Sequence, residues 1–290
     1  MKGINTVRTV KEDNVTRPKI GIALSGGSAL GYAHIGVLQA LLDNGIDIDY
    51  VAGTSMGAII GAMFVTGSDM EQIAESACKW RLLKFSDMTL NKSGMFSGKH
   101  FLHILKQYVP SIDIKDTKIP FKCVSADLLT GKQYVWEEGC LLTAVRSSMS
   151  VPGVFVPVKH GDMWLVDGGV VNNLPDDIVR DMGADIVLSF DAIGGYRISK
   201  PPKTAVRAMM TASYIMQSRM IDLKKSSSDI IVSMAQYNDK KFSFNKKNVK
   251  DIIKQGYNKT IEAMPEIKKI IERHSRNGKV MKPLVKNKPE

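Results

Sequence analysis

Short apolar runs recur along the first two thirds of the chain, and segments with helical spacing separate them. Residues 19–24 form a compact apolar run that predicts a buried strand, and apolar residues at helical spacing then continue to about residue 42. Residues 51–54 predict a second short strand that leads into an apolar helix over 58–65. A further buried strand is predicted at 186–189. Buried strands alternating with helices predict an α/β domain with parallel strands.

The rest of the pattern predicts two hairpins, several helices and one irregular stretch. Residues 121–136 form the first hairpin, and the second turns at 161–162 and returns over 163–166. Helices are predicted over 68–83, 98–108, 141–148, 204–223 and 246–273, with a last strand over 229–232. The Gly/Ser-rich residues 84–98 predict a mobile flap. The stripe of Met209, Ser213, Met216 and Met220 is typical of a helix core, with a lipid-facing groove as the alternative.

The second predicted strand ends in a serine flanked by glycines. Gly53-Thr54-Ser55-Met56-Gly57 matches the G-x-S-x-G pattern of a nucleophile elbow. The chain must reverse sharply there while it holds the hydroxyl outward, and a side chain at Gly53 or Gly57 would collide with the neighbouring strand or helix. The start of the following helix leaves backbone N–H groups unpaired beside the hydroxyl. An ordinary strand-to-helix turn built of small residues is the alternative.

A glycine-rich loop joins the first strand to its helix, at residues 26–31. Helix starts favour anions, and Ser28 is predicted to be the N-cap. A P-loop would need Gly-Lys-Ser/Thr where the chain has Gly31-Tyr32-Ala33, and a dinucleotide loop would need a glycine at position 28. An oxyanion hole fits best, because the candidate nucleophile follows within one βαβ unit. Parallel strands then bring both turns to the same sheet edge.

Asp167-Gly168-Gly169 closes the return strand of the second hairpin. An acid at the end of an apolar strand, followed by two glycines, is typical of a functional carboxylate rather than of one that is only solvated. A turn aspartate that binds its own backbone is the alternative. Asn172, Asn173 and Pro175 then open another predicted helix.

Composition limits the compartment and the partners. The formal net charge is +11 over 290 residues, which implies attraction to anionic surfaces. Three scattered cysteines, Cys78, Cys123 and Cys140, predict buried thiols in a reducing compartment. With no signal-peptide h-region and no bilayer-spanning apolar run, we expect a cytoplasmic protein with peripheral contact to an anionic membrane as a further option. The oligomeric state does not follow from the sequence.

Three elements in this order, the loop 26–31, Gly53-Thr54-Ser55-Met56-Gly57 and Asp167-Gly168-Gly169, resemble the patatin-like phospholipase family, particularly its small bacterial members. Residues 31–38, 150–155 and 172–175 agree, so the resemblance covers about residues 18–195. It implies a three-layer α/β/α sandwich with a mostly parallel central sheet. It also implies hydrolysis of acyl esters of phospholipids and other lipids, as by a phospholipase A, lysophospholipase or carboxylesterase, without a metal or cofactor.

The resemblance also implies roles for individual residues. Ser55 would be the nucleophile and Asp167 the general base of a dyad. Gly26, Gly27 and the N–H of Ser28 would line the oxyanion hole, and Gly31, Gly53, Gly57 and Gly168 belong to the supporting motifs. The family loop usually has a third glycine where Ser28 stands and a basic residue where Leu30 stands. If position 28 requires a positive φ, Ser28 carries strain of about 1–2 kcal/mol.

We expect a flexible arm at 1–17, one hydrolase domain over 18–273 and a basic tail at 274–290. Within the domain, residues 18–195 hold the core motifs and residues 200–273 form a helical part.

Three alternatives remain for the function. A triad would need one of His34, His100, His103, His160 or His274, none of which has the flanking signature of a catalytic base. A non-catalytic membrane-associated regulatory protein on the same fold is the second. Nucleic-acid binding is the third, and no zinc motif or aromatic-interleaved basic strand supports it.

Overall fold

The computed structural model describes residues 17–77, 87–89, 93–195, 198, 200–234 and 246–280. Its strands are β1 (Ile20–Leu24), β2 (Tyr50–Thr54), β3 (Gly94–Phe96), β4 (Phe121–Asp127), β5 (Gln133–Trp136), β6 (Gly153–Phe155), β7 (Val158–His160), β8 (Met163–Asp167), β9 (Ile186–Asp191) and β10 (Ile230–Ser233). Its α-helices are α1 (Ala33–Asp43), α2 (Met56–Val65), α3 (Met70–Ala77), α4 (Lys99–Leu105), α5 (Leu141–Ser148), α6 (Asp176–Asp181), α7 (Ala205–Leu223) and α8 (Lys246–Val280).

The central sheet has the strand order β10-β9-β1-β2-β4-β8-β7, and β5 pairs with the other side of β4. The pairs between β10, β9, β1, β2 and β4 are all parallel, whereas β5, β7 and β8 are antiparallel to their neighbours. The carboxyl ends of β1, β2 and β4 therefore meet at one edge, which is where open α/β sheets bind ligands. This edge is called the carboxyl edge below.

Side chains of the central strands alternate between two buried layers. Ile22 and Leu24 of β1 face the larger core, which α1, α2, α5 and α8 cover, whereas Ala23 faces a smaller core with α6. A strand that is buried on both faces needs a continuous apolar sequence, as residues 20–24 have. The predicted three-layer α/β/α sandwich with a mostly parallel sheet is confirmed.

The C-terminal helix α8 belongs to this sandwich. A Cβ on Gly256 of α8 would collide with the carbonyl oxygen of Ala33, and one on Gly36 of α1 would collide with that of Ile253. The two glycines therefore let the backbones of α1 and α8 approach closely. The helix extends seven residues beyond the predicted end at Arg273, to Val280.

Several predicted elements differ from the structure. Ser28 makes no side-chain cap, because the chain enters α1 through a 3₁₀ helix over Ser28–Tyr32. The predicted flap includes β3, which pairs in parallel with β6, and buried Asp87, whose carboxylate accepts hydrogen bonds from Ser97 Oγ and Gly98 N–H. The helix predicted over 68–83 begins at Met70 and is described as far as Ala77, and residues 78–83 lie outside the described residues. The same holds for 1–16 of the predicted arm.

None of the helices in the described ranges is both long enough and apolar enough to cross a bilayer.

Candidate active site

Ser55 occupies a sharp turn between β2 and α2. Its backbone has φ 55° and ψ −119°, a conformation that side-chain-bearing residues rarely adopt. The turn requires both flanking glycines. A Cβ on Gly53 would lie 2.5 Å from the carbonyl oxygen of Gly57, and a Cβ on Gly57 would collide with that of Leu24. The two glycines of G-x-S-x-G are therefore required sterically at this turn. The positive φ of Ser55 is backbone strain of a kind that is characteristic of functional sites.

The glycine-rich loop follows β1 at the same sheet edge. Ser28 has φ 48°, so the position where the family usually has glycine does take a left-handed conformation. The N–H of Gly26 donates to the carbonyl oxygen of Asn173 at 3.2 Å. Among the described residues, the N–H groups of Gly27 and Ser28 donate no hydrogen bond to a loop or turn carbonyl. The loop therefore offers two adjacent amide donors beside Ser55, and Gly26 lines the site with its own amide already bonded.

Asp167 lies against the Ser55 hydroxyl. The Oγ of Ser55 donates to Oδ2 of Asp167 at 2.5 Å, and Oδ1 of Asp167 accepts from the N–H of Gly169 at 2.8 Å. Both oxygens of the carboxylate are thus fixed by hydrogen bonds. A second anchor is the N–H of Asp167, which donates to the carbonyl oxygen of Ser150 at 2.9 Å.

Strand pairing explains why these two side chains meet. The pairing of β2 with β4 ends where Thr54 lies opposite Val124. The pairing of β8 with β4 begins at the next residue of β4, where Asp167 lies opposite Ser125. Because β5 occupies the other side of β4, β2 and β8 lie end to end along the same side. Ser55 follows the last residue of β2, and Asp167 is the last residue of β8.

Burial sets the charge state of Asp167. The carboxyl group is 5% exposed, and the cost of removing a charge from water raises its pKa to about 6, although the hydrogen bonds from Ser55 and Gly169 oppose this shift. Asp167 is therefore a stronger base than an ordinary aspartate but is still ionised at neutral pH. A proton acceptor with a pKa near the working pH is the one best suited to general-base catalysis.

A small pocket opens over the pair. It encloses about 40 Å³, and its walls include the loop residues Gly26, Gly27 and Ser28 together with Ser55 and Asp167. Apolar side chains form much of the remaining wall, and one side comes from α7. These further residues are Val151, Pro152, Val170, Asn173, Met210, Ser213, Tyr214 and Gln217.

The remaining motif glycines are packing positions behind the pocket. A Cβ on Gly31 would lie 2.5 Å from Cγ of Met56, next to the elbow serine. A Cβ on Gly168 would collide with the carbonyl oxygen of Val124 in β4. Both glycines let the loops that carry Ser28, Ser55 and Asp167 close together.

Two polar residues of the site are not predicted by the sequence analysis. Ser148, the last residue of α5, accepts a hydrogen bond from the N–H of Ser55 through its Oγ at 3.0 Å. Asn173 is 2% exposed, and its Oδ1 has no hydrogen-bond partner among the described residues. Its sequence signal is the Asn172-Asn173-Leu174-Pro175 segment, which predicts the start of a helix and agrees with the family resemblance but assigns no role to Asn173.

None of the five histidines lines the pocket. Nε2 of His34 bonds the carbonyl oxygen of Ser25 at 2.8 Å, and burial lowers the pKa of His34 to about 4. His160 contacts the Tyr134 hydroxyl at 3.2 Å, and His274 lies in α8. His100 and His103 lie in α4. In the described ranges, no group of three or more His, Cys, Asp or Glu side chains could hold a metal ion.

Curated proteins with similar sequences carry related names. The chain is 34% identical over 179 residues to an uncharacterized NTE family protein of Mycobacterium tuberculosis, covering 61% of this chain and 50% of that protein. It is 35% identical over 186 residues to patatin-like phospholipase domain-containing protein 7 of Rattus norvegicus, covering 61% of this chain and 14% of that protein. The similar region thus spans half or less of each relative's length.

Solved structures share the fold. Human GIVD cytosolic phospholipase A2, in complex with methyl gamma-linolenyl fluorophosphonate, superimposes with a TM-score of 0.54 at 12% identity, covering 94% of this chain and 61% of that one. Residues 22–179, more than half of the chain, match the family model described as patatin-like phospholipase. The family predicted from the three motifs is confirmed, and the chain belongs to the patatin-like phospholipase family.

Proposed function

We propose that this chain is a serine acyl-ester hydrolase that acts on lipids, with Ser55 as nucleophile and Asp167 as general base. The observation that carries the proposal is the 2.5 Å hydrogen bond from Ser55 Oγ to Asp167 Oδ2 inside a buried pocket. A nucleophile and its base must be within hydrogen-bond reach, and this pair is. No histidine is needed between them, because the carboxylate itself accepts the hydroxyl proton.

In the acylation step, Ser55 Oγ attacks the carbonyl carbon of the ester while its proton passes to Oδ2 of Asp167. The tetrahedral intermediate then expels the alcohol, which takes the proton from Asp167 as the C–O bond of the ester breaks. The acyl group remains on Ser55. The second oxygen of Asp167 stays bonded to the Gly169 N–H, which keeps the carboxylate aimed at Ser55 throughout.

The negative oxygen of the tetrahedral intermediate needs donors of fixed position. The N–H groups of Gly27 and Ser28 supply them in this proposal. One such donor is worth about 3–4 kcal/mol of transition-state stabilisation in other hydrolases. In the deacylation step, water attacks the acyl-enzyme, Asp167 Oδ2 takes the proton of the water, and Ser55 leaves with that proton as the acid is released.

A lipid ester is the substrate class that best fits the surroundings of the pair. Val151, Pro152, Val170 and Met210 give the pocket an apolar wall beside the polar catalytic groups. The family description and the name of the rat relative both contain "phospholipase". These observations support a phospholipase A, lysophospholipase or lipid esterase activity for this chain.

The test is hydrolysis of p-nitrophenyl butyrate and of a mixed-micelle phospholipid by purified variants. Ser55→Ala should lower kcat/KM at least about a thousandfold, and Asp167→Asn about a hundredfold or more. Ser275→Ala in α8 and Asp162→Asn in the β7–β8 turn are matched controls that should retain activity, because neither residue lines the pocket. Unchanged hydrolysis in either dyad variant would refute the proposal.

A further inference from the structure

Three large apolar side chains are exposed together at the turn that follows β4 and at the start of β8. Leu128 and Leu129 are 52% and 67% exposed, and Trp164 is 40% exposed. Leu128 donates its backbone N–H to the carbonyl oxygen of Trp164 at 2.9 Å, so the two residues are neighbours across the strand pair. We call these three residues the apolar tip.

The apolar tip projects from the sheet edge that carries the catalytic pair. Asp167 pairs with Ser125 on β4, and Leu128 lies three residues further along the chain from Ser125. At about 3.3 Å per residue, the tip stands about 10 Å beyond the level of Ser55 and Asp167. Exposed tryptophan and leucine at such a position are unfavourable in water unless something apolar covers them.

The apolar tip is held in a defined shape. The buried carboxylate of Asp127 accepts hydrogen bonds through Oδ1 from the backbone N–H groups of Trp164 at 3.1 Å and Leu129 at 3.3 Å. Its Oδ2 accepts from the hydroxyl of Thr130 at 2.7 Å. One carboxylate thus fixes both strands that carry the three apolar side chains, which keeps them presented to the outside of the protein.

A second apolar surface lies beside the mouth of the pocket. Helix α7 lines the pocket with Met210 and Gln217, yet its neighbouring residues Met209 and Met216 are more than half exposed. Val170, which lines the pocket just after Asp167, is 46% exposed. The sequence pattern favours a core role for the Met stripe, and that prediction is wrong for these two methionines, because most of each side chain is exposed.

The exposed charges around both surfaces are mainly positive. Exposed Lys159 lies opposite Trp164 in the β7–β8 pair, and the carbonyl oxygen of exposed Lys132 accepts from the N–H of Asp127, the residue before Leu128, at 2.9 Å. The exposed acid Asp162 lies in the β7–β8 turn. Lys203 is exposed just before α7, and Arg219 is exposed in α7. Arg219 forms an ion pair with Asp222 at 3.6 Å. Apolar side chains surrounded by lysine and arginine match the chemistry of an anionic membrane surface, which combines acyl chains with phosphate groups.

We propose that the apolar tip and the outer side of α7 form the surface by which this chain docks on a bilayer containing anionic phospholipid. Docking in this orientation turns the carboxyl edge, and with it Ser55 and Asp167, toward the lipid. The proposal rests on the proposed lipid-hydrolase function for its purpose, but the docking itself needs no catalysis. Tryptophan and long basic side chains are well suited to the boundary between head groups and acyl chains.

Tryptophan fluorescence tests the docking directly. The Ser55→Ala variant is mixed with vesicles of phosphatidylglycerol and phosphatidylcholine, and emission is compared with vesicles of phosphatidylcholine alone. Trp164 should shift to shorter wavelength on the anionic vesicles, and bromine-labelled acyl chains should quench it. Trp80 is replaced by phenylalanine in every protein compared, so that the only other tryptophan is Trp136, which is 2% exposed and remains as an internal reference. Trp164→Phe should remove the vesicle-dependent shift.

Binding and turnover are then compared in variants that keep the catalytic residues. The double variant Leu128→Ser with Leu129→Ser should bind anionic vesicles at least about tenfold more weakly, because two side chains lose their apolar contact. Its hydrolysis of p-nitrophenyl butyrate should stay within about twofold of the wild type. The matched control is Leu42→Ser, since Leu42 is 50% exposed near the end of α1, at the opposite edge of the sheet.

Three results would overturn the docking surface. The double variant would bind vesicles as the wild type does, or Leu42→Ser would lose binding equally. Alternatively, the Trp164 shift would appear in vesicle-free buffer as protein concentration rises, which would assign the tip to self-association. Failure of the hydrolase proposal alone looks different: vesicle binding would still depend on Leu128 and Leu129, while the wild type would hydrolyse neither the soluble ester nor the phospholipid.

Discussion

The hydroxyl of Ser55 and the carboxylate of Asp167 are 112 residues apart in the chain and 2.5 Å apart in space. They meet because β2 and β8 approach each other end to end along one side of β4. Each residue stands at the end of its strand, with the glycine-rich loop after β1 beside them. The relationship follows from the topology of the sheet.

The activity should depend on the ionisation of Asp167. Burial raises the pKa of this carboxyl to about 6, so below that pH it carries a proton and cannot accept one from Ser55. We expect kcat/KM for p-nitrophenyl butyrate to rise about tenfold per pH unit up to about pH 6 and to level off above it. A profile that is flat between pH 5 and 7.5, or that falls as pH rises, would contradict this assignment.

The ionised carboxylate of Asp167 should lower the free energy of unfolding at neutral pH. Its folded pKa of about 6 lies above its unfolded value near 4, so the folded state holds a proton that the unfolded state has released. The free energy of unfolding therefore falls as pH rises from about 4 to about 6. Above that range the ionised buried carboxylate costs about 2–3 kcal/mol, which Asp167→Asn should recover in part.

Urea unfolding at two pH values measures this effect. Asp167→Asn should be about 2 kcal/mol more stable than the wild type at pH 7.5 and nearly equal to it at pH 4. Asp162→Asn, on the exposed turn of the same hairpin, is the control and should show no such difference. A less stable Asp167→Asn protein at pH 7.5 would show that hydrogen bonding outweighs burial at this carboxylate.

Ser28 should be a position where glycine is preferred. Its φ of 48° is left-handed, which costs a side-chain-bearing residue about 1 kcal/mol or more. Ser28→Gly should raise the free energy of unfolding by about 0.5–1 kcal/mol, because glycine is less strained there but more flexible when unfolded. Ser28→Ala keeps the Cβ and should give no such gain in a thermal unfolding scan. Equal stabilisation by alanine would exclude backbone strain as the cause.

Lys224 should anchor the end of α7 to the segment after Asp167. Its Nζ donates to Asp176 and Asp177 at 2.7 Å each, and the Asp176 side chain is 3% exposed. Lys224→Met leaves the buried Asp176 carboxylate without its cation, although three serine donors remain, and should cost about 1–3 kcal/mol at pH 7. Lys225→Met, at an exposed neighbouring lysine, should stay within about 0.5 kcal/mol of the wild type.

The pH dependence separates this ion pair from lost packing. Burial raises the pKa of Asp176, but the hydrogen bond and the charge of Lys224 outweigh it, so the net shift is downward. The stability that the pair contributes is therefore present above the ordinary pKa of aspartate and is lost as pH falls below it. The difference between Lys224→Met and the wild type should shrink by pH 3. A constant difference would indicate packing by the lysine stem.

The sequence predicts the parts of the site that depend on local geometry. The sharp turn at Ser55 leaves no room for a side chain at position 53 or 57, so it requires glycine at both. The G-x-S-x-G pattern alone therefore indicates the elbow. Adjacent parallel strands then bring the glycine-rich loop to the same edge. The strand end and the two following glycines single out Asp167, but no local pattern predicts that it lies beside Ser55, because β8 is antiparallel and its register on β4 is a tertiary property. Only the family resemblance connects Asp167 with Ser55 at the sequence level.

Other features depend on which surfaces meet. The periodicity of Met209 and Met216 predicts a helix, but it does not show that their side of α7 is exposed. Ser28 has the side chain of an N-cap, whereas the loop imposes a left-handed backbone that takes it away from the helix start. Ser148 reaches the elbow only because α5 ends beside it.

Labelling with a fluorophosphonate probe shows whether Ser55 is an activated nucleophile, because such probes react with activated serines whatever the natural substrate is. We predict one label on the peptide that contains Ser55, no label in Ser55→Ala, and labelling at least about a hundredfold slower in Asp167→Asn. Labelling of Ser55→Ala at the wild-type rate, or of Asp167→Asn at the wild-type rate in a folded protein, would contradict it.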